Sequence, residues 1–437
     1  MTEELPPGYQ RQVFQTREAQ TPFPPPGFIP APSNVQGIEV FIPGSSTADR
    51  LPEVVDFKCP KCGATIAFSV DARMLACEYC GYSQAVLPTQ LGRAAEGFEF
   101  RVETVARAAR GWGEDRKELA CQRCGGVVSV PSGTLSYACP FCGSNKVLFR
   151  EPMEDVLRPR YLIPFQIEPQ RCREITRKWL GSSWLTPPEL RESAIEKFHP
   201  LYIPYWIFAA TCNATWKADV AYSKTEVYYE NGQRQERETW EWRAESGKVE
   251  KTFTHLLVPG TTRLNMSALG QVDNYDVNGL VLYEPSLLAG MQAQAYDLPL
   301  DEAWDAGRHI MREQTRKACL DRASGTRVRN FTATVDFRDE AWRYILTPIY
   351  TSIYTFGDQT YQILINGQTG RVAGPRPVDW EKVWLVIILL LAPGVLTTIF
   401  GMLFSRGQVA GLGLFLLVTG LVFAYFLFNH ARETEHV

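Results

Sequence analysis

Eight cysteines in two identical constellations constrain this chain more than any other feature. Cys59, Cys62, Cys77 and Cys80 are spaced C-x2-C-x14-C-x2-C, and Cys121, Cys124, Cys139 and Cys142 reproduce that spacing. Two copies define an internal repeat and make chance a poor explanation. Two C-x2-C knuckles on two hairpins deliver four sulfurs to one point, which suits the tetrahedral coordination of Zn2+ by thiolates. The segments CPKCG and CPFCG supply a proline and a trailing glycine, and the glycine lets the backbone turn with positive φ. One zinc per repeat is expected, because pairing the first knuckle with the last needs a much longer loop closure. With all four positions taken by cysteine there is no place for a water, so both sites read as structural. Binding energy on the order of ten kcal/mol per zinc then folds a ribbon too small to fold alone.

Eight of the eleven cysteines fall in C-x-x-C pairs. That arrangement belongs to metal sites in a reducing compartment rather than to a secreted disulfide framework. A redox dithiol normally comes singly on a βαβ unit, not as four knuckles. The opening residues MTEELPPGYQ carry acid and proline where a secretory signal needs a basic start and an apolar run, so no cleaved signal peptide is expected. The net charge of -3 argues against a general affinity for polyanions. From Val54 to Arg150 there are twelve Lys or Arg against nine Asp or Glu, and each four-thiolate zinc adds about two negative charges. Without a basic stripe, nucleic-acid binding through the ribbons loses its main source of affinity.

At 437 residues and 45% hydrophobic, the chain can bury more than one core. Residues 1–53 are proline-rich, including Pro24, Pro25 and Pro26, and read as an extended flexible arm, with Ile38 to Ile42 able to add to a sheet edge. Zinc ribbon 1 occupies 54–90, a linker 91–117, and zinc ribbon 2 118–150. Within the linker, Phe98, Val102, Val105 and Ala109 recur at helical intervals and predict a helix over 96–111. Residues 151–375 read as a mixed α+β domain. Helices are expected over 169–180, 188–197 and 301–322, the last with Asp301 as N-cap. Strands are expected over 202–209, 215–229, 234–244 and 249–258, with a turn at Asn231-Gly232, and a later hairpin pairs 344–354 with 360–365.

Residues 383–404 and 409–428 are uncharged and apolar, each close to the ~20 residues that cross a hydrocarbon core. Ser405 to Gln408 is too short a connection for anything but a reversal, so a two-helix transmembrane hairpin over 380–429 is expected, followed by a short tail over 430–437. Arg371, Arg376, Lys382 and Arg432 lie on one side and only Arg406 in the turn, which places the large domain in the cytoplasm. Gly394, Gly401, Gly413 and Gly420 are small enough to let the two helices approach closely, and Pro393 should kink the first.

The chain carries no phosphate loop, no H-E-x-x-H and no G-x-S-x-G, and it is read as a non-enzyme. His199, His255 and His309 read as structural, and Cys172, Cys212 and Cys319 as core thiols, with Cys212 beside Asn213 the one candidate for reactivity. The competing readings are a membrane-tethered regulator that touches nucleic acid and an unrecognised enzyme.

The order of motifs is itself informative: the double ribbon, YLIPF at 161–165, Trp179-Leu180, YIPYWIF at 202–208, LVPG at 257–260, then INGQTGRVAG before paired apolar helices. In that order the chain resembles a bacterial family of transcription-factor-B-type zinc-ribbon membrane proteins, over most of residues 57 to 428. The resemblance implies a membrane scaffold or adaptor that partners flotillin-like (SPFH) proteins and phage-shock-type membrane-stress proteins. It carries over the eight cysteines as zinc ligands and no catalytic residue.

Overall fold

The computed structural model describes residues 28–31, 40–43, 57–86, 116–131, 139–142, 144–150, 156–230, 233–323, 327–404 and 407–436, with residues 88, 90–92, 95, 97–99, 112 and 325 besides. The chain divides into two units, Met1–Leu51 and Pro52–Val437. In the first unit, β1 (Phe28–Ala31) and β2 (Val40–Pro43) pair antiparallel, Phe28 opposite Pro43. The apolar patch at Ile38 to Ile42 thus contributes a strand, and its partner lies within the proline-rich segment itself.

The second unit is α+β, with two four-cysteine clusters, antiparallel sheets and two apolar C-terminal helices. The first ribbon forms a small sheet of its own from β3 (Ala67–Ser69), β4 (Met74–Ala76) and β5 (Ser83–Ala85). The remaining strands of this unit belong to one 13-stranded sheet. It begins with β6 (Phe98–Glu99). The second ribbon supplies β7 (Arg116–Cys121), β8 (Val127–Pro131) and β9 (Val147–Arg150). The short strands β10 (Tyr161–Leu162) and β11 (Ala194–Ile195) follow. Three long strands dominate: β12 (His199–Glu230), β13 (Gln233–Pro259) and β16 (Arg327–Phe356), with β14 (Val281–Leu282) and β15 (Gln292–Ala293) between the second and third. The sheet closes with β17 (Gln359–Asn366) and β18 (Val372–Ala373).

The linker helix predicted over 96–111 is corrected at its start, where Phe98 and Glu99 pair with Trp342 and Ala341 of β16. Residues 100–111 lie outside the described residues. Of the predicted helices, α1 (Pro169–Leu180) forms at the expected residues. The segment 188–197 does not: Pro188–Glu192 is a 3-10 turn, and Ala194 and Ile195 then pair with Thr355 and Tyr354. Strand pairing overrides local helical spacing there, and consecutive prolines at 187 and 188 limit the turn. After the short α2 (Met266–Val272), capped by Asn265, comes α3 (Leu300–Leu320). Pro299 precedes it, so Asp301 sits within the first turn rather than at the cap.

The four strands expected between 202 and 258 merge into two, because β12 and β13 pair continuously from Tyr205–Pro259 to Glu230–Gln233 with one register shift. Asn231-Gly232 lies outside the described residues. β16 runs along the opposite edge of β12. One face of this ribbon is apolar, and α3 covers it: Trp304 meets Phe208 edge-on at 5.0 Å, and Arg308, Arg312 and Arg316 lie over the rings of Phe337 and Phe331. The central core gathers Tyr202, Trp206, Trp342, Tyr344 and Tyr350, all at or below 2% exposure.

The chain ends in α4 (Trp380–Leu403) and α5 (Gly407–His436). Both are long and apolar enough to cross a membrane, and only 17% of each apolar window is buried. A core helix would hide most of that surface, so these helices present their apolar faces outward. The helix continues unbroken through Pro393. The segment expected as a tail beyond the apolar run continues the helix to His436. Where α4 and α5 touch, glycines permit the approach: a Cβ at Gly394 would fall 2.6 Å from the backbone nitrogen of Leu417, and one at Gly420 2.9 Å from the Leu390 carbonyl. Gly401 and Gly413 meet Ala410 and Thr398 in the same manner, whereas Gly411 has open space around it. Gly394→Leu and Gly413→Leu should each destabilise the detergent-solubilised protein by about 1–3 kcal/mol, as overpacking does. Gly411→Leu should leave the thermal midpoint unchanged, which a melting series on the three variants checks.

Candidate metal centres

Each ribbon begins as a reverse turn held by its own backbone. In the first knuckle the Gly63 amide donates to the Cys59 carbonyl at 2.8 Å and the Cys59 amide to the Ala64 carbonyl at 2.7 Å. Gly81 and Gly125 repeat the closure onto Cys77 and Cys121 at 3.0 Å. All three glycines have φ between 71° and 74°, a region closed to most side chains. The turns point both cysteines of a pair to one side.

The sulfurs accordingly converge as the spacing predicts. Cys59, Cys62, Cys77 and Cys80 form one group and Cys121, Cys124, Cys139 and Cys142 the other, with all sulfurs of a group within 4.8 Å of one another. The pairs Cys59–Cys80 and Cys62–Cys77 lie at 3.4 and 3.5 Å, and Cys121–Cys142 and Cys124–Cys139 at 3.6 Å. A tetrahedral Zn–S bond of about 2.3 Å implies sulfurs about 3.8 Å apart, so each cage is close to the size of that ion. Both groups share one burial pattern, with the first and third cysteines buried and the second exposed. All eleven cysteines are free thiols.

The electrostatics explain why a cation belongs there. Burial pushes the Cys59 thiol up, but hydrogen bonds from the backbone of Lys61 and Cys62 and from the Cys80 and Cys62 sulfurs outweigh it and hold the group at about 7. Cys121 repeats this: burial opposes the backbone of Cys124 and Arg123 and the sulfurs of Cys142 and Cys139, and the group again settles at about 7. At Cys62 the Ala64 amide lowers the pKa, yet burial and the sulfurs of Cys77, Cys80 and Cys59 raise it to about 12. Burial, reinforced by Cys124, also pushes Cys139 up. One thiolate per cage therefore forms readily, while Cys62 and Cys80 in the first cage and Cys139 and Cys142 in the second resist ionisation until a metal supplies the opposing charge.

The two centres differ in what surrounds them. Cys59 and Cys77 pack with Ile66, Leu75 and Ala289 in a small core that meets the main core only at its margin, through Phe68 and Val86. Cys121 and Cys139 belong to a larger core with Leu119, Val130, Leu201, Tyr205 and Ile349, so the second centre is built into the mixed domain. Ser129 of β8 pairs with Ala293 of β15, which carries the ribbon ladder into the main sheet. Arg116, 1% exposed, fixes that junction, donating to the Ser129 hydroxyl and carbonyl at 2.8 Å and to the Met291 carbonyl at 2.7 Å. No motif marks Arg116 in the sequence; a lone arginine in a charged stretch reads as solvated.

Nor does any motif mark a cleft of ≈ 790 Å³ where Glu118, Val127 and Arg150 of the second ribbon face Arg263, Gln294 and Asp297. Arg263 and Asp297 pair at 3.0 Å. The Gln294 amide donates to Thr261 at 2.6 Å, while its buried oxygen has no hydrogen-bond partner among the described residues. The other residues singled out from the sequence lie apart from both cages. Cys172, Cys212 and Cys319 are fully buried. Burial pushes the Cys212 thiol up despite its hydrogen bond to Thr315, which removes the basis for a reactive thiolate. His309 is exposed on α3, His255 contacts Thr254 at 2.9 Å, and burial lowers the pKa of His199.

The contrast in surroundings has a measurable consequence. Cys59→Ser should release one metal equivalent and leave amide exchange in β12 and β16 unchanged. Cys121→Ser should also release one, but it should speed exchange in β7, β8 and β15 and cost about 4 kcal/mol or more of domain stability.

No protein-family model and no solved structure matches this chain. Among curated proteins it is similar to "Uncharacterized protein YdjG" of Bacillus subtilis (strain 168), with 24% identity over 336 residues. The aligned stretch covers 76% of this chain and 92% of that protein, so the likeness extends well beyond the ribbons.

Proposed function

We propose that the chain is a membrane-anchored scaffold whose two four-cysteine centres hold structural Zn2+ in the cytoplasm, and whose α4–α5 hairpin spans the bacterial cell membrane twice. The observation that carries this reading is the joining of two all-thiol cages to two outward-facing apolar helices in one folded unit. Zinc is favoured over other ions because four sulfurs in a tetrahedral cage with no open position suit its d10 shell. Such a cage offers no site for water or substrate and serves shape instead. A reducing cytoplasm keeps the thiols available, and the excess of Lys and Arg at the base of the hairpin favours the same orientation.

A scaffolding role draws support from the long ribbon. Among the described residues, the 27-residue strand β13 pairs on one side alone, with β12. Its other edge presents unpaired backbone donors and acceptors, a surface that a partner strand can extend. The sequence resemblance to double zinc-ribbon membrane proteins suggests flotillin-like (SPFH) or phage-shock-type proteins as partners. Mild-detergent extraction of cell membranes, capture of the tagged chain and mass spectrometry should recover proteins of one of those classes. Recovery of neither, with the chain itself intact, contradicts the scaffold reading.

A further inference from the structure

At the base of the hairpin, a loop of the soluble domain is fastened beside the first turn of α4. The Asp379 amide donates to the Leu185 carbonyl at 2.8 Å, and Leu185 packs with Val378, Val383 and Ile387. Arg376 reaches the Trp179 carbonyl at 3.1 Å and the Ser182 hydroxyl at 3.0 Å, and its guanidinium lies 4.7 Å from the Trp179 ring centre. The loop is therefore held level with the first residues of the apolar helix.

What it presents there is amphipathic. Gly181, Ser183, Trp184, Thr186, Arg191 and Lys382 line a cleft of ≈ 320 Å³. Trp184 is 58% exposed, and Trp384, half a turn past Lys382, is 53% exposed. Exposed tryptophans at one level of a hairpin are what a membrane interface selects, since the indole pairs an apolar body with a polar N–H. The cations have distinct states. Arg191 lies against Gly181, where a Cβ would collide with it, and donates one bond to the Gly181 carbonyl at 2.7 Å. It has no acidic partner among the described residues, so the rest of its donor fork remains available. Lys382 pairs with Asp379 at 2.8 Å and keeps two further donors. Glu189 and Glu192 flank Arg191 in sequence and Glu381 flanks Lys382, so the attraction is local to the cleft rather than a broad positive field.

We propose that this cleft binds the phosphate headgroup of an anionic phospholipid, with Arg191 and Lys382 as donors and Trp184 against the upper acyl chain. The proposal rests on the membrane-spanning reading above. It follows from the depth: about 4.5 Å of helix rise separates Lys382 from the outward-facing Leu385, so the cations stand one turn from the acyl boundary.

The test uses the full chain, extracted in detergent and examined by native mass spectrometry with phosphatidylglycerol or phosphatidylcholine added. Phosphatidylglycerol should bind at least fivefold more tightly. Arg191→Gln and Lys382→Gln should each weaken it about fivefold and weaken phosphatidylcholine less, so that the preference between the two lipids shrinks. Equal binding of the two lipids by the unaltered protein, which needs no variant to fold, overturns the proposal, as does a double variant that retains the preference. Inorganic phosphate at millimolar concentration should not displace the lipid; if it does, the cleft is a free-anion site and the lipid assignment fails. Alkaline carbonate washing of membranes separates the two readings. A chain released by carbonate ends the spanning reading, whereas a chain retained without lipid preference ends the headgroup site alone.

Discussion

Four thiols brought within 4.8 Å of one another are the condition on which the rest of this molecule depends. Sulfurs this close repel once ionised, and the opposed shifts of Cys59 and Cys62 record that conflict within a single cage. A divalent cation held there would turn the repulsion into four bonds, and what it stabilises would then be set by position. In the first ribbon the cage organises a three-stranded sheet that joins the domain through the Phe68 amide and the Ala289 carbonyl. In the second it closes the end of a ladder that passes through Ser129 and Ala293 into the long strands. The same chemistry thus holds a local module in one copy and a domain junction in the other.

The junction has a second fastening in Arg116, which ties β8 to the chain beside β15 through backbone and hydroxyl acceptors. A charge so buried is costly without partners, and here acceptors surround it. At the other end of the domain, Tyr354 donates to the Pro375 carbonyl at 2.7 Å and the Arg376 amide donates to the Thr434 carbonyl at 3.0 Å. The sheet is therefore continuous in contact with the helical hairpin. The hairpin in turn is held by close glycine-mediated approach, the packing that serves helices with no water to drive them together.

Features governed by local chemistry were legible in the residues. The cysteine spacing identified both cages, the apolar runs located α4 and α5, and the periodicity of Cys172, Ile175 and Trp179 marked α1. The glycines at 394, 401, 413 and 420 anticipated the helix contact. Features governed by distant partners were not. Residues 188–197 carry helical spacing, yet Ile195 finds its partner in Tyr354, far along the chain. Phe98 likewise leaves a helical pattern to pair with Trp342. The merging of four strands into two follows from the continuous pairing of β12 with β13, and of β12 with the distant β16, which no short window of residues records. Arg116 and the Gly181–Arg191 cleft escaped notice for the same reason, since their meaning lies in what folds against them.

The central claim is that each cage is a permanent zinc site in a reduced, membrane-held protein. Elemental analysis of the full chain, extracted from membranes under anaerobic conditions, tests it most directly when combined with a count of reactive thiols. The account requires two zinc ions per chain that survive prolonged dialysis, with the eight cage cysteines shielded from alkylation until a strong chelator and denaturant are added. A chain that carries no zinc and whose cage cysteines are joined as disulfides contradicts it.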